Sequence, residues 1–240
     1  MLDTTRTRQK NDWRTAASTP LLHLTASFFW EVVVRCLAAF ASDVIYVTVG
    51  AGMISTDRVL ITSRCALRYP QLVDARFILE VVTHPDFPRE LPFAQLTTLE
   101  AVEGAISRRQ QRWCAGTGFS WCVDERASGR LVGMVSINRE VTPAYWSLAF
   151  WIHPVMWRRG FATEIGAEAL RLAFSEFGAE MVEAGAAMWN AASQGVLEKL
   201  GFTFSGENPD GYRVEGRPVH TREYDLPVRD WRTPPREGVE

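Results

Sequence analysis

Residues 157–164 read WRRGFATE and join an apolar stretch, which ends at His153, to a segment with helical spacing. A strand that passes directly into a helix leaves the N–H groups of the first helical turn unpaired, and such a turn can bind a phosphate group. Gly160 lets an anion approach the backbone because it has no Cβ, and Arg158 and Arg159 add positive charge nearby. Taken alone, the octapeptide fits a phosphate site and an ordinary helix start equally well.

The segment that follows is amphipathic and runs to about residue 177. Its apolar side chains recur on one side at helical spacing, at Ala162, Ile165, Ala169, Leu172 and Ala173. We therefore predict a helix that packs this side against a sheet while its N-terminus faces a ligand.

A second stretch repeats the strand-to-helix arrangement. An apolar strand is predicted at residues 181–189, and a short helix at 194–200 is closed by Gly201. Residues 190–202 read NAASQGVLEKLGF, and residues 153–164 read HPVMWRRGFATE. At this spacing, the two motifs resemble the GNAT superfamily of acyl-CoA N-acyltransferases. The resemblance is best to the branch that contains the RimJ and RimL ribosomal-protein N-terminal acetyltransferases.

The resemblance covers residues 58–227 and implies an α+β fold. In this fold a mixed, mostly antiparallel twisted sheet is flanked by helices, and its fourth and fifth strands splay apart. The pattern of apolar residues predicts strands at 59–67, 119–123, 131–137, 145–152 and 181–189, and earlier helices at 70–82 and 98–113. The splay is therefore expected between the strands at 145–152 and 181–189.

For the coenzyme, the resemblance implies two regions of contact. The pyrophosphate of coenzyme A would lie on the backbone of Arg158, Arg159, Gly160, Phe161, Ala162 and Thr163. The pantetheine arm would lie between the splayed strands, along Phe150, Trp151, Ile152 and His153, and would also contact Asn190. An unpaired strand edge suits this arm, because the amide groups of the arm can take the place of an added strand.

Ser193 and Glu140 are the candidate catalytic residues. By resemblance, the Ser193 hydroxyl lies near the leaving sulfur, and Glu140 is the best placed carboxylate for a general base. Ser147 stands where the branch often has a polar or acidic residue, so water or a group on the acceptor side is an alternative base. Asn190 and Ser193 also suit helix caps, and His153 also suits a structural role at a strand end.

The resemblance implies transfer of the acetyl group of acetyl-CoA, a cosubstrate, to a primary amine on a protein N-terminus or a small molecule. A non-catalytic module that binds coenzyme A or a protein partner is the alternative, and a longer acyl donor is another. A homodimer is compatible with the sequence. With a net charge of −2 and a pI near 6.1, the chain has no electrostatic basis for binding nucleic acid.

The four cysteines, Cys36, Cys65, Cys114 and Cys122, include no Cys-x-x-Cys pair and no nearby histidines at zinc spacing. We therefore expect buried thiols in a reducing compartment such as the cytoplasm, and we expect no metal site.

The chain before residue 58 matches nothing in the family pattern. We accordingly predict a domain at residues 58–228, an N-terminal extension of uncertain structure at 1–57 and a flexible tail at 229–240. Met53 offers a natural start for the domain, which leads to the hypothesis that the residues before it are an upstream mis-start or a loosely attached appendage and contribute little to the fold. The alternative is that residues 28–49 cover an apolar patch of the domain or mediate dimerisation.

Part of the extension, residues 28–54, is apolar but charged at Glu31, Arg35 and Asp43, which argues against a transmembrane helix. A secretory signal with its apolar part at residues 21–30 is an alternative that the position of these charges disfavours.

Overall fold

An eight-stranded sheet dominates residues 54–142 and 144–232, which are the residues that this computed structural model describes. The strands are β1 (Leu60–Ile61), β2 (Cys65–Arg68), β3 (Gly118–Glu125), β4 (Leu131–Arg139), β5 (Tyr145–Ile152), β6 (Met181–Ala187), β7 (Thr203–Val214) and β8 (Arg217–Pro227). Their spatial order is β1-β2-β3-β4-β5-β6-β8-β7. All neighbouring pairs are antiparallel except β5 and β6, which are parallel, so the predicted mixed, mostly antiparallel sheet is confirmed.

The helices of the same residues flank the sheet. They are α1 (Ala75–Thr83), α2 (Leu99–Cys114), α3 (Phe161–Ser175) and α4 (Ala191–Lys199), with short 3-10 turns at Leu72–Asp74, Pro92–Gln95 and Pro154–Met156. Within the described ranges, no helix has the length and apolar content needed to cross a membrane.

Side chains alternate between the two faces of the sheet, so each face packs against a different pair of helices. Cys122, Met134 and Trp151 form a row across β3, β4 and β5 and belong to the core beneath α1 and α2. Trp121 and Val135, one position along, belong to the larger core beneath α3 and α4.

The strand predicted at residues 59–67 is wrong as a single element, because a turn divides it into β1 and β2. Thr62 closes this turn. Its N–H donates to the carbonyl of Cys65 at 2.9 Å, and its Oγ1 accepts from the Cys65 N–H at 3.0 Å. The turn residues face α3, and their polar groups donate hydrogen bonds to the carboxylate of Glu164.

Described residues enter the core as early as Ile54, which is 6% exposed and lies within the predicted extension. The carbonyl of Ile54 accepts a hydrogen bond from the indole of Trp113 at 2.9 Å. Arg58 then forms a two-pronged ion pair with Glu176, at 2.6 and 2.7 Å. The predictions for residues 1–53, including Met53, and for residues 233–240 lie outside the described residues.

Not all of the described cysteines are buried as expected. Cys65 and Cys122 are buried, but Cys114 is exposed because it ends α2 on the solvent side. Cys36 lies outside the described residues.

Candidate active site

The parallel strands β5 and β6 separate along their length, as predicted. Tyr145, Trp146 and Ser147 pair with β6, and the ladder ends at the pair of Ser147 and Glu183. Residues 148–152 of β5 continue past this point beside no further β6 partner. The two strands therefore leave a gap that opens toward the ends of both.

The backbone of β5 presents polar groups to this gap. The His153 N–H donates to the Val132 carbonyl at 2.8 Å. Because hydrogen-bonded pairs alternate along an antiparallel ladder, the backbone N–H and C=O groups of Phe150 and Ile152 point away from β4. The Ile152 carbonyl accepts from the indole of Trp157 at 2.7 Å. Phe150 lies beyond the end of the β5–β6 ladder, so its N–H and C=O groups, which point away from β4, face the gap and are open to an extended ligand.

His153, at the end of β5, has a structural task. Its Nδ1 accepts from the Val155 N–H at 3.2 Å and so caps the 3-10 turn that follows. The ring lies 5.5 Å from that of His84 and 5.7 Å from that of Phe77. Burial, and then the neighbouring His84, lower the pKa of His153, so the imidazole is a neutral cap near pH 7.

The loop between this turn and α3 forms a backbone concavity. Arg158 and Gly160 both have left-handed conformations, with φ of 63° and 81°. In residues 158–163 the backbone N–H groups donate to no described residue, and the first helical bond runs from Glu164 to Gly160. Successive N–H groups around left-handed residues make an anion site, and the positive end of the α3 dipole adds to it. The bare Gly160 keeps the concavity open.

The side chains of this loop support the same geometry. Phe161 is buried and fixes the start of α3 in the core, whereas Arg158 and Arg159 are exposed beside the concavity. Ala162 and Thr163 are half-buried. An L-residue at positive φ is strained, and such strain is often found where a loop is shaped for a ligand.

Glu164, in the first turn of α3, fastens this loop to the β1–β2 turn. Its carboxylate accepts from the Thr62 hydroxyl at 2.6 Å, the Ser63 hydroxyl at 3.0 Å and the Arg64 N–H at 2.8 Å. The Arg64 guanidinium also donates to it at 2.7 Å and to the Arg159 carbonyl at 2.7 Å. We call these residues, Thr62, Ser63, Arg64 and Glu164, the turn latch.

The latch places charge beside the anion site. The Arg64 guanidinium lies over the Phe161 ring at 4.5 Å, and a Cβ on Gly160 would meet its Nη2 at 3.4 Å. Burial raises the pKa of Glu164, but the hydrogen bonds from Thr62 and Arg64 outweigh it and hold the pKa below its usual value. Glu164 is therefore ionised and holds Arg64 in position.

The end of β6 supplies the second predicted group of site residues. The Asn190 Oδ1 accepts from the Ser193 N–H at 3.1 Å, so Asn190 caps α4. The Ser193 hydroxyl is half-buried and bonds to no described residue. Gln194 secures the loop by donating to the carbonyls of Ala187 and Met188 at 3.0 and 3.1 Å. Because β5 and β6 are parallel, this turn and the anion site lie at the same edge of the sheet.

A cavity of about 290 Å³ lies beneath α2, against the open part of β5. Its sheet side is formed by Ser120, Met134, Ser136, Asn138, Ala149, Phe150 and Trp151. Its helix side is formed by Pro92, Phe93, Leu96, Ala105, Arg108, Arg109 and Arg112. The cavity and the gap between β5 and β6 are thus separated only by the open part of β5. An extended ligand in the gap could therefore bring its end close to a second ligand in the cavity.

Glu140 is not among the residues that line this cavity. It follows β4, and its N–H donates to the Tyr145 carbonyl at 2.8 Å at the start of β5. Two hydroxyl groups lie on the cavity floor, where the Ser136 Oγ donates to the Ser120 Oγ at 2.8 Å. Both residues lie in one row with Ala149. The lining includes no carboxylate.

The structure therefore brings most predicted site residues to one edge of the sheet. Glu140 is the exception, because it lies near the start of β5, whereas the anion site follows the end of β5. Neither the three arginines of α2 nor the turn latch was predicted from the sequence. Arg109 had a signal, because it occupies an apolar position in the series Val102, Ile106, Arg109 and Trp113. In the described part of the chain, no cluster of three or more His, Cys, Asp or Glu residues could hold a metal ion.

Known proteins resemble the part of the chain that contains these residues. The family model described as an acetyltransferase (GNAT) domain matches residues 64–203. The uncharacterized N-acetyltransferase YoaA of Bacillus subtilis is 26% identical over 172 residues, which cover 70% of this chain and 96% of YoaA.

Two solved structures share the fold. The ribosomal-protein-S5-alanine acetyltransferase from Vibrio fischeri has a TM-score of 0.63 at 16% identity, over 73% of this chain and 100% of its own. The microcin C7 self-immunity acetyltransferase MccE, in complex with acetyl-CoA and AMP, has a TM-score of 0.62 at 14% identity, over 69% of this chain and 93% of its own. Because the family model spans more than half of the sequence and includes the anion site, the chain belongs to the GNAT acetyltransferase family.

Proposed function

We propose that the protein transfers the acetyl group of acetyl-CoA to a primary amine by direct attack of the amine on the thioester. The unpartnered N–H groups of residues 158–163, next to the open edge of β5, are the observation that carries this proposal. Acetyl-CoA is the cosubstrate of GNAT acetyltransferases, and MccE was crystallised with it. The chain is accordingly an acyltransferase of EC class 2.3.1.

The chain's own groups have separate tasks in this proposal. The amides of residues 158–163 bind the pyrophosphate, and the Phe150 backbone and Asn190 bind the arm. The Ile152 carbonyl already accepts a hydrogen bond from the Trp157 indole, so the Phe150 backbone is the main polar contact that β5 offers to the arm. The bound cosubstrate supplies an activated acyl carbon.

Acyl transfer requires a neutral amine near the thioester carbon. As the C–N bond forms, the C–S bond breaks, the nitrogen loses a proton and the departing sulfur takes one. We assign the proton donated to sulfur to the Ser193 hydroxyl, which has no competing partner among the described residues, and the Ser193 oxygen then regains a proton from water. Since no carboxylate lines the cavity, we assign the other proton to water, with Glu140 as the alternative base.

Amine-dependent release of free coenzyme A tests this function. We expect release from acetyl-CoA to require an amine, and the rise of kcat/KM with pH to follow the pKa of the amine when two amines of different pKa are compared. A module that only binds coenzyme A would protect acetyl-CoA at every pH. A pH limb that stays fixed between amines and disappears in Glu140→Gln would instead make Glu140 the base.

The acceptor in this proposal is a protein N-terminus or a small-molecule amine. The names of similar proteins include both kinds of acceptor, since one is a ribosomal-protein-S5-alanine acetyltransferase and another is a spermidine N-acetyltransferase. The charge of the cavity narrows this choice.

A further inference from the structure

The cavity beneath α2 is lined by positive charge without a matching negative charge. Arg108, Arg109 and Arg112 come from one side of the helix and line it together with Ala105. No aspartate or glutamate is among the lining residues. Three cations facing one small space repel each other, so an anion in this space would be stabilised.

Arg109 is the most informative of the three. Its guanidinium donates to the Ala105 carbonyl at 2.9 Å and lies over the Phe93 ring at 4.7 Å. No carboxylate of a described residue lies within ion-pair distance of it. Burial, and then the neighbouring Arg112, lower the pKa of Arg109 to about 10, which still leaves it charged near pH 7.

Two other half-buried arginines, Arg68 and Arg171, are paired with carboxylates, whereas the half-buried Arg222 donates to the Gln194 Oε1 at 3.3 Å. Arg68 binds the carboxylates of Asp74 and Asp124, and Arg171 binds those of its neighbours in and after α3. A buried cation without a partner lowers stability, because it loses hydration and gains no ion pair. Unlike Arg68 and Arg171, Arg109 has no carboxylate partner among the described residues, and it lies where a substrate would bind.

The remaining polar groups of the cavity also favour an acceptor-rich ligand. The Arg112 Nη1 donates to the Asn138 Oδ1 at 3.3 Å, and this hydrogen bond orients the Arg112 side chain. The indole N–H of Trp151 is buried and donates to no described residue, although the side chain lines the cavity. A volume of about 290 Å³ is at the small end of ligand pockets, which suits a molecule of amino-acid size.

From this geometry we infer that the acceptor is a primary amine that carries a carboxylate or a phosphate, with the anion held by Arg109 and its neighbours on α2. The inference rests on the proposed acetyl transfer and specifies its acceptor. The amine of such a molecule would lie toward Ala149 and Phe150, on the wall shared with the gap. A diamine or polyamine would place a second cation among three arginines and is disfavoured.

The test compares amines that carry an anionic group with amines that lack one. With acetyl-CoA and the full chain, we expect β-alanine and O-phosphoethanolamine to exceed their neutral counterparts, 3-aminopropanamide and ethanolamine, by about tenfold or more in kcat/KM, and 1,3-diaminopropane to be poorest. The better of the two anionic amines identifies the carboxylate or the phosphate as the preferred group.

Two variants tie the preference to the cavity. Arg109→Gln is expected to lower kcat/KM for the preferred anionic amine at least tenfold and kcat/KM for the neutral amine by much less. The KM for acetyl-CoA should stay the same, and the melting temperature should stay the same or rise. Arg109→Lys should restore part of the loss. Arg130→Gln, on the exposed β3–β4 loop, is the matched control and should behave like the wild type.

Equal rates with neutral and anionic amines, or an Arg109→Gln loss that is the same for both, would overturn the inference and leave acetyl transfer standing. Absence of amine-dependent release with every amine would instead overturn the proposed function. The anion could instead belong to the acyl donor. If Arg109→Gln lowers kcat/KM more with succinyl-CoA and ethanolamine than with acetyl-CoA and β-alanine, the arginines bind the acyl group of the donor, and the inference is also overturned.

Discussion

Arg64 and Glu164 form an ion pair at 2.6 Å that joins the β1–β2 turn to the first turn of α3. The two residues are far apart in sequence, yet the same guanidinium also binds the Arg159 carbonyl within the anion site. The turn latch therefore determines where the amides of residues 158–163 point. It is a positioning device, since its carboxylate is occupied by protein groups.

Glu164→Gln should loosen the anion site without altering the chemistry. We expect the KM for acetyl-CoA to rise several-fold, about 1 kcal/mol, while kcat changes little, because a neutral amide holds Arg64 less firmly. Steady-state kinetics measure both constants. Glu168→Gln, further along the same helix and paired with Arg171, is the control; an equal effect in both would attribute the change to helix stability.

The same carboxylate should contribute to acid stability. Its pKa in the fold is lower than in the unfolded chain, so its contribution is complete above the unfolded value of about 4.3 and is lost as the pH falls through the folded value. The melting temperature of the wild type should therefore exceed that of Glu164→Gln near neutral pH, and the difference should shrink below about pH 4. A difference that is constant with pH would contradict this.

Gly160→Glu should weaken coenzyme A binding by about tenfold or more, near 1.4 kcal/mol, because a side chain and a negative charge would enter the anion site. Gly129→Glu is a matched control, since Gly129 also has positive φ and no atom would lie within 4 Å of its Cβ. Calorimetric titration with coenzyme A compares the two folded variants. Equal affinities would place the pyrophosphate elsewhere.

Ser193→Ala should lower kcat more than it raises the KM for acetyl-CoA, as expected for a group that acts on the departing sulfur. A loss of about tenfold or more in kcat is consistent with general acid catalysis. Ser175→Ala, at the end of α3, controls for removal of a hydroxyl. If only the KM changes, Ser193 serves as a contact and not as a proton donor.

A shortened chain that begins at Met53 should keep the melting temperature and the affinity for coenzyme A of the full chain. It retains Ile54 and Arg58, which join the core and the Glu176 ion pair. A chain that begins at Arg58 loses Ile54 and the partner of the Trp113 indole, and should melt at least about 5 °C lower. Aggregation of the Met53 chain would make the preceding residues part of the working protein.

Much of the fold could be predicted from local patterns. The strands β3 to β6 and the helices α1 to α4 follow apolar periodicity, and the two motifs indicate the family and the splay. The turn at Thr62 was missed because the flanking apolar residues read as one strand. The strands β7 and β8 could not be predicted, since residues 203–214 include two glycines and a proline without alternation.

The site was less predictable where it depends on distant contacts. Glu164 looks like an ordinary acidic residue at a helix start, and its role becomes visible only when the β1–β2 turn packs against it. Asn190 was expected both as a cap and as a coenzyme contact, and the structure shows the cap. Arg109 interrupts the apolar side of α2, a local signal that indicates function only when the cavity is seen beside it.

Transfer of an isotopically labelled acetyl group from acetyl-CoA, followed by mass spectrometry of the amine, distinguishes an acetyltransferase from a module that only binds coenzyme A. We expect label on the nitrogen of an added amine, with one free coenzyme A released for each acetylated product, and little transfer by Gly160→Glu at low acetyl-CoA. Tight binding of coenzyme A by the wild type, with no label on any amine of the neutral, anionic or cationic set, would contradict this expectation.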